Sequence, residues 1–295
     1  MLNLAILVLN YNKPQTTLRC IKSVDSALAN SGFSASRKLV IDNGSDISLE
    51  AMTAELRDSE NRWELVSIDN NLGFASGMNH GLAHIESEHF DYYLFLNNDT
   101  EVERLALQKV EQYLVASPEK VLIGFHIKDL LTRKTMAIGG YRYYPWLGMA
   151  RPNKRPPTSL NRLPISYVDG CAFLVKGEFM TSQGRLPSKN FMYFEELYLA
   201  RALNSGSELG YCNEAVVHHE GGATAREHLR SFEHHRLAME ACLRFTSDHH
   251  LRLLPSVLLV RLAWLATVSV RHMALGPILA GLSAVRNVIS ERHGL

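Results

Sequence analysis

Several signals that would point away from a compact intracellular enzyme are missing from this chain. Its four cysteines (Cys20, Cys171, Cys212 and Cys242) are scattered, with no CxxC spacing. That argues against a zinc site and a disulfide framework and fits a reducing compartment. No sign of charge dominates: the net charge is +1 over 295 residues, so no bulk field indicates a nucleic-acid partner. The stretch from Met1 to Asn10 lacks the basic region and cleavage site of a signal peptide and reads as a buried first strand. The expectation is a cytoplasmic protein, with the inner face of the cell membrane as a peripheral location. There is no internal repeat, no low-complexity tract, no P-loop signature and no dinucleotide fingerprint after the first strand. What remains is a 46% hydrophobic chain, ample for a sizeable core in one large domain or two small ones.

Short apolar runs at Leu4–Leu9, Lys38–Ile41, Leu65–Ile68 and Tyr92–Leu96 read as strands of a largely parallel sheet. Between them, Leu18, Ile21, Val24 and Leu28 recur at helical spacing behind Pro14, which is tolerated in a first helical turn. Val102, Leu105, Ala106, Val110, Tyr113 and Leu114 predict a further helix face. Strands alternating with helices indicate an α/β fold. From Gly139 to Pro164 the pattern weakens into an expected irregular surface loop. Val168–Val175 resumes as a strand, and the chain reads as helix from Glu227 onward.

Polar residues collect at the carboxyl ends of the strands, where open α/β sheets bind ligands. Asp42-Asn43-Gly44-Ser45 is either a simple turn or a strand-end carboxylate for a nucleobase or ribose. Asn71 to Asn79, with Gly73 and Gly77, opens a helix whose N-terminal N–H groups favour anions. Asp99, closing a buried strand, is placed to hold a hard divalent cation against a diphosphate, or else to cap a helix. Phe191-Met192-Tyr193-Phe194-Glu195-Glu196 offers paired carboxylates in an aromatic setting, which raises one pKa and suits a general base. His218-His219-Glu220-Gly221-Gly222 sets a candidate metal ligand beside a flexible turn. The sum is a metal-assisted transferase acting on a phosphorylated donor.

Taken in order, these motifs resemble the inverting nucleotide-sugar glycosyltransferases of family two, and most closely their bacterial rhamnosyltransferase-like branch. The resemblance is carried by Leu9-Asn10-Tyr11-Asn12, Val40 to Ser45, Asn71 to Asn79, Leu96-Asn97-Asn98-Asp99-Thr100, Val168 to Phe173, Phe191 to Glu196 and Ala215 to Gly222, from Leu4 to about Thr224. It implies a GT-A-type, Rossmann-like, mostly parallel central sheet flanked by helices, with a helical C-terminal extension. Residues 1–226 would form the catalytic domain, with nucleotide-sugar binding in about 1–100 and the acceptor part in about 101–226; residues 227–295 would be the extension. The implied donor is a dTDP- or UDP-linked sugar, rhamnose in that branch. The implied acceptor is a saccharide or lipid-linked saccharide in bacterial surface polysaccharide synthesis. By position, Glu196, paired with Glu195, would be the base, and Asp99 and His219 would hold Mg²⁺ or Mn²⁺. Asn10, Asn12, Asp42, Asn71, Gly73, Phe74, Gly77, Asn79, Asn97, Asp169 and Gly170 would bind the donor. Tyr198 and Ala202 depart from the acidic residue and arginine usual in the family. They keep a non-catalytic sugar-nucleotide-binding subunit as an alternative. A sugar-nucleotide nucleotidyltransferase is a second one, although the glycine- and lysine-rich signature it needs is not supplied by Asn10 to Lys13.

Leu251–Val270 is apolar enough to approach a bilayer span, but Arg261 near its middle costs roughly 2.5–3.5 kcal/mol on insertion scales. A helix packed on the catalytic domain or on a partner competes with peripheral membrane contact through Arg244, Arg252, Arg261 and Arg271. Assembly into a homo-oligomer is left open by the sequence.

Overall fold

The computed structural model describes residues 2–58, 62–155, 163–221, 232–271 and 273–293. Its core is a nine-stranded sheet in the order β3 (Glu64–Ile68), β2 (Ser34–Asn43), β1 (Asn3–Asn10), β4 (Tyr92–Asn97), β11 (Ala172–Lys176), β6 (Leu122–Asp129), β12 (Leu209–His219), β5 (Thr100–Val102), with β7 (Thr135–Ile138) joined to β6. The first half, β1 (Asn3–Asn10), β2 (Ser34–Asn43), β3 (Glu64–Ile68) and β4 (Tyr92–Asn97), is wholly parallel. Beyond β4 the sheet becomes mixed, because β11 (Ala172–Lys176) runs antiparallel to both its neighbours.

The period-two alternation of β1 explains its central place. Leu4, Ile6 and Val8 face α1 (Pro14–Leu28), where Leu18, Ile21 and Val24 meet them. Ala5 and Leu7 face α3 (Phe74–His84), against Met78 and Leu82. All five strand residues are fully buried, as a parallel strand covered on both faces must be. Pro14 stands in the first turn of α1 as expected. The register sets Asn10 beside Asp42, and Leu9 beside Asn97, so the polar ends of three strands finish side by side.

Three expectations need correction. Val102 belongs to a short strand, β5 (Thr100–Val102), and not to the following helix, α4 (Ala106–Ala116); Leu105 is exposed. The stretch expected as a loop from Gly139 to Pro164 is ordered in its first part: β8 (Gly140–Tyr144) pairs with β9 (Met149–Pro152) and with β10 (Ile165–Val168) in a separate antiparallel sheet, while residues 156–162 lie outside the described residues. Val168–Val175 is not one strand. It breaks at Asp169-Gly170-Cys171 as the chain leaves the small sheet and enters the large one as β11.

Helix α2 (Glu50–Asp58) packs outside β3, and α5 (Gly177–Gln183) follows β11. Helix α6 (Glu195–Ala202) follows the aromatic run, and β12 (Leu209–His219) returns parallel to β6. Three helices close the chain: α7 (Phe232–His249), α8 (Leu254–Arg271) and α9 (Gly276–His293). They are not detached from the rest. Phe245 of α7 is fully buried with Tyr143, Ile165, Tyr167 and Leu197, joining the helices, the small sheet and α6 in one cluster. The boundary expected at 226, and the Gly222 of the His-Gly motif, lie outside the described residues.

Candidate active site

A cavity of about 600 Å³ opens at the carboxyl ends of β1, β2 and β4, in the size range of small-ligand sites. Of the residues expected at a site, Asn71, Gly73, Phe74, Asn97, Asp169, Gly170, Glu195, Glu196 and His219 line it.

Glu195 and Glu196 start α6, behind two residues in the left-handed region, Tyr193 (φ 79°) and Phe194 (φ 73°). Such backbone is costly for aromatic residues and marks a site where the surroundings enforce the geometry. Ring contacts supply that enforcement: Phe194 stacks on Phe245 at 5.8 Å, and Tyr143 meets Phe194 edge-on at 5.3 Å. Glu195 is turned inward and its Oε1 is buried without a hydrogen-bond partner. Glu196 reaches across to Gly170, where a Cβ would collide with its Oε1. Glycine is therefore required at 170 for the carboxylate to occupy that position. Burial pushes Glu196 up to about 7; a backbone hydrogen bond opposes the rise and nearby Asp169 adds to it. Burial, and then the neighbouring Glu196, hold Glu195 well above the ordinary glutamate range. A carboxylate so poised takes up a proton near neutral pH, which is what a general base needs.

Asp99 stands on the turn between β4 and β5, so it caps no helix; it does not itself line the cavity but adjoins Asn97, Asn98 and His219, which do. Antiparallel pairing of β12 with β5 sets His219 beside Thr100, and His219 Nε2 lies 3.2 Å from Asp99 Oδ1. Strand alternation sends His218 the other way, to Glu103 at 2.9 Å. Burial disfavours the Asp99 carboxylate, but His219 and Lys13 outweigh it and the pKa falls below the usual range. Burial likewise disfavours the His219 imidazolium, but Asp99 outweighs it and the pKa rises. Among the described residues no cluster of three or more His, Cys, Asp or Glu could by itself enclose a metal ion. The pair nevertheless suits a cation that takes its other ligands from phosphate and water: a largely buried carboxylate oxygen and an imidazole nitrogen already lie 3.2 Å apart, and one or two protein ligands are usual for a Mg²⁺-like ion on a diphosphate.

The remaining expected residues do not line the cavity. Asn10 and Asp42 form a buried network: Asn10 Nδ2 donates to Asp42 Oδ1 at 2.7 Å, Thr17 Oγ1 to Asn10 Oδ1 at 2.6 Å, and Ser45 Oγ to Asp42 Oδ1. Asn12 ties the first loop to the second through Ser45 Oγ (2.8 Å) and the Asp46 N–H (2.8 Å). Gly77 lets α3 approach the sheet, since a Cβ there would press on Leu9 and Asn43. Asn79 is spent on backbone, donating to the Leu186 carbonyl (2.9 Å) and accepting its N–H (2.7 Å). The N-terminus of α3 is not a free anion site either. Gly73, at φ 82°, lets Phe191 cross it, and the Phe74 N–H donates to the Phe191 carbonyl at 3.0 Å.

Sequence reasoning passed over Lys13, Tyr141, Tyr167 and Arg261 as lining residues. Lys13 adjoins the Asn-Tyr-Asn motif, so its neighbourhood was a usable signal. Tyr141 and Tyr167 come from the small sheet and Arg261 from α8, and no spacing rule brings those segments to the strand ends.

Strand ends that converge on one cavity, lined by a poised carboxylate and by the imidazole of a carboxylate–imidazole pair, match the GT-A class of nucleotide-sugar glycosyltransferases. The sequence signature of Glycosyl transferase family 2 covers residues 5–165, more than half of the chain, and the protein belongs to that family. Solved structures share the fold. GalNAc-T7 with UDP, GalNAc and Mn²⁺ has a TM-score of 0.58 at 14% identity, over 74% of this chain and 43% of that one. The mannosyltransferase PcManGT from Pyrobaculum calidifontis with GDP-Man and Mn²⁺ gives 0.54 at 12%, over 98% and 87%. S. aureus TarS 1–349 with UDP gives 0.51 at 13%, over 99% and 92%. The chain thus spans less than half of the GalNAc-T7 chain but most of the other two. At these identities the likeness is one of fold. No curated protein sequence is significantly similar to the chain.

Proposed function

We propose that the protein is an inverting glycosyltransferase that moves a sugar from a UDP- or dTDP-linked donor to the hydroxyl of a saccharide or lipid-linked acceptor. The observation that carries this reading is Glu196, lodged against Gly170 with its pKa raised to about 7, in the cavity where the strand ends meet. Its carboxylate takes the acceptor proton as the oxygen–C1 bond forms. The C1–phosphate bond breaks on the opposite face, so one in-line displacement inverts the anomeric centre. Asp99 and His219 would hold a divalent cation, which when bound offsets charge on the departing diphosphate. Lys13 adds positive charge on the same side. Asp169 and Gly170 face the sugar, and Asn71, Phe74 and Asn97 flank the nucleotide. Residues 1–226 make the catalytic part, with 227–295 as its helical extension. Rhamnose on dTDP, used in bacterial surface polysaccharide synthesis, is the donor favoured by the likeness of Leu96 to Thr100 and Phe191 to Glu196 to that branch. The C-terminal helices would bring the site to a membrane that carries the acceptor.

The test is a thermal-stability titration with a panel of nucleoside-diphosphate sugars, with and without Mn²⁺ or Mg²⁺. A ligand at about 100 times its Kd stabilises by about 2.7 kcal/mol. Metal-dependent stabilisation by one donor is expected, with dTDP-rhamnose or a UDP-sugar foremost. No response to any donor would overturn the reading.

A further inference from the structure

Arg261 lines the cavity, and the proposed reaction leaves its charge unused. It sits on α8 one turn from Val257 and one turn from Leu265, both fully buried, so the three share the inward face of the helix. Its stem packs on the turn between β8 and β9, where a Cβ on Gly148 would lie 3.4 Å from Arg261 Cγ. Its guanidinium stands 5.1 Å from the Trp264 ring. Its Nε is buried with no hydrogen-bond partner, and it forms no ion pair with a described residue. Other arginines of the helical region differ: Arg236 is paired with Glu233 and Glu240, and Arg244 with Glu240 and Glu291. A partly buried guanidinium without a counter-ion is costly to keep. Yet this one lines the same cavity as Glu196 and Asp169.

Resting on the transferase reading, we propose that Arg261 is an anion-binding residue of the acceptor subsite, and that the acceptor carries a phosphate or carboxylate. The planar fork of arginine binds either group through two parallel hydrogen bonds. The position assigns it to the acceptor. Donor-side groups come from the ends of β1, β2 and β4, with Lys13 and His219, whereas Arg261 reaches the cavity beside Gly148 of the small sheet and Ala238 of α7. The C-terminal helices thereby supply a binding group and do not merely cover the catalytic part.

The experiment compares wild type, Arg261→Gln and Arg261→Lys, each saturated with UDP to fill the donor side, in titrations with inorganic phosphate, glucuronate and glucose. Wild type is expected to bind phosphate or glucuronate, and whichever binds tells which anion the acceptor carries. R261Q should weaken that binding by at least about tenfold, R261K should restore part of it, and UDP affinity should change by less than about twofold. Equal anion binding in wild type and R261Q, no anion binding by wild type, or an equal response to glucose would each overturn the proposal. So would a loss of UDP affinity in R261Q, which would make Arg261 a donor residue. Failure of wild type to bind UDP would sink the donor reading instead. The same anion titrations without UDP would then decide the role of Arg261. Arg261→Met keeps the stem and removes the unpaired charge. It should unfold no earlier than wild type, and a fall of several degrees would make Arg261 structural and overturn the proposal.

Discussion

Glu196 illustrates how one side chain can be both a cost and a tool. Its folded-state pKa lies above the ordinary value, so the native state binds its proton more tightly than the unfolded chain does. The stability from that proton is full below the unfolded pKa and is lost as pH rises through about 7. Above that pH a buried carboxylate beside Glu195 opposes folding. Glu196→Gln should therefore raise the melting temperature at pH 8 relative to wild type and give no gain at pH 5. The same change should lower turnover by about 10²–10⁴-fold while leaving donor affinity nearly intact. Wild-type turnover should climb with pH through about 7. A melting temperature and a pH–rate profile check both; retained turnover in Glu196→Gln would remove it as the base. Asp99 carries the opposite expectation. Its carboxylate is favoured by His219 once desolvation is overcome, so Asp99→Asn should abolish the part of UDP binding that depends on Mn²⁺. Calorimetric titration of UDP with and without the metal reads that difference. Persistence of the full Mn²⁺ effect would place the cation elsewhere.

Strand and helix elements were legible where one short-range pattern fixes them. The four parallel strands, α1 with Pro14 in its first turn, and the polar strand ends all follow from apolar runs and local breakers. Pairing across long sequence distances was not legible. Nothing near residue 140 announces that Gly140 to Tyr143 will pair with Ile165 to Val168, or that this sheet will be roofed by Phe245 a hundred residues later. Site residues divide in the same way. Motif order led to Glu196, Gly170 and His219, which the cavity brings together. It also led to Asn79 and Gly77, which serve the packing of α3. Asn79 closes both hydrogen bonds of the Leu186 peptide from inside the protein. Asn79→Ala leaves that donor and acceptor without a partner and should cost about 1–3 kcal/mol. Urea unfolding should show the loss with donor affinity unchanged when measured well below the new midpoint. A specific weakening of donor binding in a fully folded Asn79→Ala protein would return the residue to the site.

The C-terminal helices give the whole molecule a polarity that its net charge of +1 hides. Residues 251–295 hold five arginines and one glutamate. Leu251–Arg271 is long and apolar enough to cross a membrane, with a mean hydropathy of 1.9. Yet its inward face is committed: Val257 and Leu265 are buried, and Arg261 lines the cavity. A spanning helix could not keep those contacts. The outward face is what remains, with Leu259 (73% exposed) and Val270 (78%), followed by Met273 (95%) and Leu275 (72%) in the connection to α9, and with Arg252 and Arg271 exposed near the two ends of the segment. Exposed apolar side chains flanked by arginines predict binding to an anionic lipid surface, where acyl contact and headgroup attraction add. Flotation with vesicles containing phosphatidylglycerol should carry the protein upward at low salt. Vesicles of phosphatidylcholine alone should bind less, and raised ionic strength should release the protein, because the headgroup attraction is screened. Replacing Met273 and Leu275 together by Glu should prevent flotation while leaving UDP binding unchanged. Wild-type protein that stays at the bottom of every gradient would refute membrane contact and leave the exposed face to another copy of the chain.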